Sequence, residues 1–220
     1  MRLESRKNLR SLSAAMAATL FALCLSGCAG LPILEKPPPR LFVLTPKTTF
    51  PPDLPTVNWQ LSVDIPIAQA SLNTARIAVQ RSPISLDYYQ DANWVDTAPK
   101  MLQTLLIESF ESTGKIVGVG RQSITLRADY NLVTELREFQ AELGEGKFPV
   151  VRVRVNAKMV QFPQRIIVGT TGREVVTEAK GPRIEDIVMA FDESLGKVLK
   201  SIVTWTLKSV PPTLPSRRMP

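Results

Sequence analysis

Few side chains in this sequence are suited to covalent or metal chemistry. The 220 residues include two cysteines, Cys24 and Cys28, and no histidine. Two thiols four residues apart can form a redox couple or contribute to a metal site. Without imidazole, a Ser-His or Cys-His nucleophile system is impossible. Zinc and most transition-metal sites lose their commonest ligand as well. Asp, Glu, Lys, Tyr and Ser remain. Of these, Asp91, Asp96, Glu108 and Glu111 are the candidate acids for a carboxylate-dependent hydrolysis of envelope glycans.

The surroundings of the cysteines decide their role. Arg2, Arg6, Lys7 and Arg10, against Glu4, precede an uncharged run from Leu12 to Leu25. A basic start, a short apolar stretch and small residues at its end describe an export signal. The run falls short of the roughly 20 apolar residues that a spanning helix needs. Its end, Leu25-Ser26-Gly27-Cys28, resembles the bacterial lipobox. That resemblance implies that Cys24 leaves with the signal and that Cys28 becomes the acylated first residue of the mature chain. The cysteines then form neither a redox pair nor a metal site. Ala29 follows in place of the Asp associated with inner-membrane retention in some bacteria, which favours the outer membrane.

Charge and composition narrow the field further. The net charge is +7, but the leader carries three of those charges, so residues 28–220 keep only about +4. That excess is modest for a nucleic-acid binder, and no nucleic-acid partner is expected. With 44% hydrophobic and 21% charged residues, the chain has an ordinary globular composition. The 18 prolines concentrate in "LPILEKPPPR" and "TPKTTFPPDLP". Such runs favour extended polyproline II, which suits a tether between membrane and domain. The reading is a signal over 1–27, a tether with a first strand over 28–57, one domain over 58–208 and a disordered tail over 209–220.

Period-two patterns predict the strands. "WQLSVDI" places Leu61, Val63 and Ile65 on one side, and "RIAVQ" does the same for Ile77 and Val79. "ISLDYY" is the hairpin partner of the latter across Ser82-Pro83. Ala98, Met101, Leu102, Leu105, Leu106 and Phe110 then repeat at helical spacing. Asp96 or Thr97 can cap this helix, Pro99 suits its first turn and Gly114 its end. The short strand "KIVGV" follows. Tyr130, Leu132, Thr134 and Leu136 alternate along one long strand, and Val151, Val153, Val155, Ala157 and Met159 along its antiparallel partner. Arg152, Arg154 and Lys158 then point outward, and Glu135 is expected beside Arg152 or Arg154. A further strand, "RIIVGTTGREVVTE", follows a turn at Pro163-Gln164. The last helix, 184 to about 207, carries Ile184, Ile187, Val188, Phe191, Leu195, Val198, Leu199 and Ile202 on one stripe. Glu193 and Lys197 are spaced to pair on its outer side. The expected fold is α+β: a central mixed, largely antiparallel sheet with a long hairpin, covered by two amphipathic helices.

Several of these segments, taken in order, resemble the auxiliary lipoprotein family of ABC-type transporters. They include Arg76-Ile77, the aromatic pair Tyr88-Tyr89, Trp94 with Asp96, and the Leu-rich helix ending at Thr113-Gly114. "ADYNLVTELREFQAE", "VRVRVNAKMV" and "FDESLGKVLKSIVTWTL" match the family's hairpin and terminal helix. The family often reads "WADRLP" after its Trp; this chain reads Trp94-Val95-Asp96-Thr97-Ala98-Pro99 and lacks the Arg. The resemblance implies a non-enzymatic periplasmic subunit that works with an MCE-domain protein, a permease and an ATPase to move lipid. Its membrane contact would be the lipid anchor, and a homo-oligomer stays open.

Other classes stand beside that one. Asp96 suits a helix cap, and Glu108 and Glu111 fall on the solvated side of the first helix, so the hydrolase reading is the weaker. An envelope lipoprotein that activates or scaffolds peptidoglycan synthesis shares the tether-and-domain layout. Neither catalytic residues nor a metal or cofactor is expected. The residues offered for a partner interface are Tyr88, Tyr89, Trp94, Arg152, Arg154 and Trp205. Aromatic and Arg side chains are enriched at binding surfaces.

Overall fold

The computed structural model describes residues 37–122, 128–144 and 146–211. The leader, both cysteines and residues 212–220 lie outside that set. The folded unit begins at Pro39. Its elements in chain order are β1 (Arg40–Phe42), β2 (Val57–Val63), β3 (Ile67–Ala68), β4 (Arg76–Ser82), β5 (Ser85–Trp94), α1 (Ala98–Thr113), β6 (Ile116–Arg121), β7 (Tyr130–Glu142), β8 (Val150–Gln161), β9 (Ile166–Glu178) and α2 (Ile184–Ser209).

Strand β7 organises the sheet. Along one edge it meets β2, then β3, then β4, each in parallel. Its other edge runs antiparallel to β8, which in turn pairs antiparallel with β9. On the first side β6 flanks β2, while β5 and then β1 extend β4. The result is the expected α+β fold, a mixed sheet whose long ladders are antiparallel. Helix α2 lies over β8 and β9, α1 lies over β2 and β6, and the two helices touch.

The alternation read from the sequence fixes what is buried. Leu132, Leu136, Val151, Val153, Val155, Ala157 and Met159 all face the core, as do Leu61, Val63, Ile77 and Val79. Ile65 does not: β2 ends at Val63, and Ile65 is exposed. Helix α1 begins with Pro99 in its first turn and stops at Gly114, whose φ of 60° is left-handed. Glycine adopts that region without a Cβ clash. Neither Asp96 nor Thr97 supplies a side-chain cap to the helix; Asp96 Oδ1 accepts instead from the Thr97 N–H at 2.7 Å. The α2 stripe is buried from Ile187 to Ile202, with Ile184 half-buried at its start, and Lys197 Nζ lies 2.7 Å from Glu193 Oε1 on the outer side.

Two boundaries move. The segment read as a tether with a first strand over 28–57 carries that strand at Arg40–Phe42 and stays packed on the domain after it. Phe42 pairs in register with Trp94, and Leu44 and Leu54 are buried. The strap after β1 ties into both helices. The Thr45 N–H donates to Asp192 Oδ1 at 2.7 Å, the Lys47 N–H donates to Ser109 Oγ at 2.9 Å, and Lys208 Nζ meets Asp53 Oδ2 at 2.6 Å. Proline density misleads here because prolines fit a bound extended strap as well as a free one. Of the segment assigned to a tail over 209–220, the first three residues are part of the fold: α2 runs to Ser209, Val210 is buried, and Trp59 Nε1 donates to the Pro211 carbonyl at 3.1 Å.

Candidate functional site

The open face of the sheet carries a charge cluster on β7, β8 and β9. Arg152 donates Nε to Glu142 Oε1 at 2.7 Å and a second bond to Glu142 Oε2 at 3.1 Å. It also pairs with Glu174, and Glu138 Oε2 lies 3.9 Å from its Nε. Arg154 reaches Glu138 Oε1 at 3.4 Å and Glu174 Oε2 at 3.8 Å. The hydrogen bond from Arg152 holds the Glu142 carboxyl below its ordinary value, although partial burial opposes this. The hydrogen bonds it donates to Glu142 and Glu174 raise the Arg152 guanidinium correspondingly. Both arginines keep their charges engaged at home.

Glu135 is not among their partners. It pairs instead with Arg137 on its own strand, Oε2 to Nη2, at 2.7 Å and stands opposite Asn156. An extra residue in β7 between Leu136 and Glu138 shifts the ladder, so Glu138 faces Arg154. The sequence held the signal: apolar spacing changes from Leu132–Thr134–Leu136 to Phe139–Ala141.

The aromatic candidates separate. Trp94 is 1% exposed and packs between Phe139 and Phe191, with ring centroids 5.6 and 5.2 Å away. It is core and presents no surface to a partner. Tyr88 is half-buried; its hydroxyl donates to the Ser71 carbonyl at 3.0 Å, and the Arg76 guanidinium stacks 3.8 Å from its ring centroid. Tyr89 is half-buried on β5, where burial pushes its phenol above the ordinary value while Arg81 opposes the shift. Trp205 is half-buried and covers Gly169 so closely that a Cβ there would lie 3.1 Å from the indole.

That indole belongs to a groove the sequence reading missed. Arg173 of β9 and Lys200, Thr204 and Lys208 of α2 line it together with Trp205, around about 510 Å³. A second groove of about 390 Å³ between the strap and α1 holds Val43, Val95 and Met101 beside Asp96 and Glu108. A third, about 260 Å³, is lined by Glu178, Asp186, Asp192 and Glu193 with Lys180. All three are open to solvent and rimmed by charge. The candidate acids Asp91, Asp96, Glu108 and Glu111 are exposed, with Lys100 Nζ 3.9 Å from Asp96. Among the described residues no cluster of acidic, thiol or imidazole side chains is arranged to hold a metal ion. No described helix is long and apolar enough to cross a membrane.

This arrangement has known relatives. Residues 42–203 match the family described as the ABC-type transport auxiliary lipoprotein component. The chain belongs to that family. A crystal structure of the Xanthomonas campestris protein XCC0632 is similar at 29% identity and a TM-score of 0.74, over 77% of this chain and 95% of that one. An uncharacterized protein of known structure shares the fold at a TM-score of 0.60 and 12% identity, over 76% of this chain and 97% of that one. The uncharacterized protein bll6063 of Bradyrhizobium diazoefficiens is 29% identical over 163 residues, 72% of this chain. The chain spans only 42% of that relative's length. The auxiliary lipoprotein therefore has a buried apolar core with charge-rimmed grooves at its surface, and its family is described as a transport component.

Proposed function

We propose that this family member is the lipid-anchored accessory subunit of an MCE-type ABC transporter that moves lipids across the cell envelope. Its role is to dock, and it does not carry the lipid itself. Acylated Cys28 holds the domain on the periplasmic side, on the outer membrane. One acyl chain gives marginal binding and two or more hold firmly, so the multiple acylation of a bacterial lipoprotein suits a permanent anchor.

The observation that carries this reading is the family match across residues 42–203. Surface character supports the docking half: the described grooves are open and charge-rimmed, and the sheet face outside the helices carries Arg and Glu side chains. Carrying a two-chain lipid calls instead for an enclosed apolar cavity of hundreds of Å³.

The test is purification of the tagged full-length protein from detergent-solubilised membranes, with its companions identified by mass spectrometry. The MCE-domain protein, permease and ATPase should accompany it. Recovery with cell-wall synthases in their place would replace this reading with a role in peptidoglycan synthesis.

A further inference from the structure

Strand β9 leaves one of its edges unused. It is hydrogen-bonded to β8 along the other, and among the described residues no strand covers its outer edge. Its 13 residues extend for about 44 Å. Natural edges of this length are usually guarded by proline, lysine, closely spaced charge or a bulge, and the bulge of β9, at Val168, lies near its start. Strand β9 contains no proline or lysine, and from Gly169 to Gly172 it carries only glycine and threonine. Ile166 and Ile167, at its start, are 56% and 54% exposed.

Beside this edge lies the groove floored by Trp205, and its charge has one sign. Among the described residues, Arg173 donates only to the carbonyl of its neighbour Gly172, at 3.1 Å. Lys200 has no carboxylate partner among the described residues. Lys208 is engaged by Asp53, and the buried Thr204 hydroxyl has no hydrogen-bond partner. The groove thus offers spare positive charge next to an apolar ring.

We propose that the outer edge of β9 accepts an acidic, extended segment of a partner protein as an added strand. The inference rests on the docking role above and gives that role a surface. Main-chain groups of the segment would pair with the free N–H and C=O groups of β9. Its alternate side chains would turn toward α2, because strand side chains alternate between faces. A glutamate there sets its carboxylate against Arg173 and Lys200 and lays its methylene stem on Trp205. A basic strand would set like charge against like.

The experiment uses the full mature protein in detergent micelles. The probes are a blocked hexapeptide alternating glutamate with valine and its lysine counterpart. The glutamate peptide should bind at least tenfold tighter and slow amide exchange across 166–178. Arg173→Glu with Lys200→Glu should reverse that preference; both side chains are exposed, so the variant keeps its melting temperature. Equal affinity for the two peptides, or binding that leaves β9 exchange unchanged, overturns the proposal. Dioctanoyl phosphatidylglycerol that binds the groove and displaces the peptide at lower concentration overturns it too, by making the occupant a lipid headgroup. Purified MCE-domain protein separates the two readings. If the peptides behave as expected and that protein is not captured, the transporter role falls and the edge site stands. If it is captured equally by wild type and the reversed variant, with β9 exchange unchanged, the edge site falls and the docking role stands.

Discussion

Glu138 faces Arg154 across the β7–β8 ladder, and Phe139 faces Val153, because β7 takes one extra residue at Arg137. In an unbroken ladder Arg137 would oppose Arg154, and Glu138 would oppose buried Val153. A one-residue slip sends every later side chain to the opposite face. The bulge therefore does two things: it delivers Phe139 to the ring cluster with Trp94 and Phe191, and it supplies a third carboxylate to the arginine pair.

The charge cluster makes stability depend on acid. The Glu142 carboxyl is held below its ordinary value chiefly by the hydrogen bond from Arg152. A carboxyl depressed in the folded state stabilises fully above its unfolded value, about 4.3, and loses that contribution as pH falls through the folded value. Arg152→Gln removes the partner and leaves Glu138, Glu142 and Glu174 close together. Urea unfolding should show a loss of about 1–2 kcal/mol at pH 7, smaller at pH 3. A deficit that stays constant between those pH values would mean that packing, not charge, holds the cluster.

The tryptophans should behave oppositely on truncation. Trp94→Ala empties a fully buried site between two phenyl rings and should cost about 3–5 kcal/mol, lowering Tm by roughly 10 °C. Trp205→Ala removes a half-buried ring at the groove and should cost about 1–2 kcal/mol. Scanning calorimetry of the two variants decides it. Equal losses would contradict the assignment of Trp94 to the core and Trp205 to the surface.

Much of this was legible in the sequence because the chain repeats its apolar residues at clean periods. Met101 to Phe110 and Ile187 to Ile202 announced the helices, and Val151 to Met159 announced strand β8. What escaped depended on long-range geometry. Trp94 ends a strand rich in exposed polar residues, so its burial follows only once Phe139 and Phe191 are placed above it. The strap from Val43 to Leu54 looked like free polyproline because its anchors, Asp192, Ser109 and Lys208, lie far along the chain. The groove at Trp205 joins β9 to α2 and has no local signature at all.

The membrane anchor is tested at Cys28. Cys28→Ala should yield either protein released from the membrane fraction or an uncleaved precursor, without incorporation of a labelled fatty acid. Labelling and fractionation identical to wild type would remove the lipoprotein reading for this cysteine. Sedimentation of the wild type with the outer-membrane fraction checks the placement suggested by Ala29.

The last prediction concerns cargo. If the domain docks and does not carry, the protein purified in detergent should hold no stoichiometric phospholipid beyond the acyl groups on Cys28. The helices account for the apolar stripes: α1 covers β2 and β6, while α2 covers β8 and β9. Phe110, Phe191, Leu106, Leu195 and Ile202 are each fully buried against that sheet, so their area is already used in folding. The grooves that remain end on Arg173, Lys200, Glu108 or Asp192, and unpaired charge facing an acyl chain is costly. Native mass spectrometry after detergent release, followed by lipid extraction, measures the occupancy directly. One phospholipid per chain, retained through detergent exchange and lost on filling the Trp205 groove with Thr204→Trp, would make this subunit a lipid carrier.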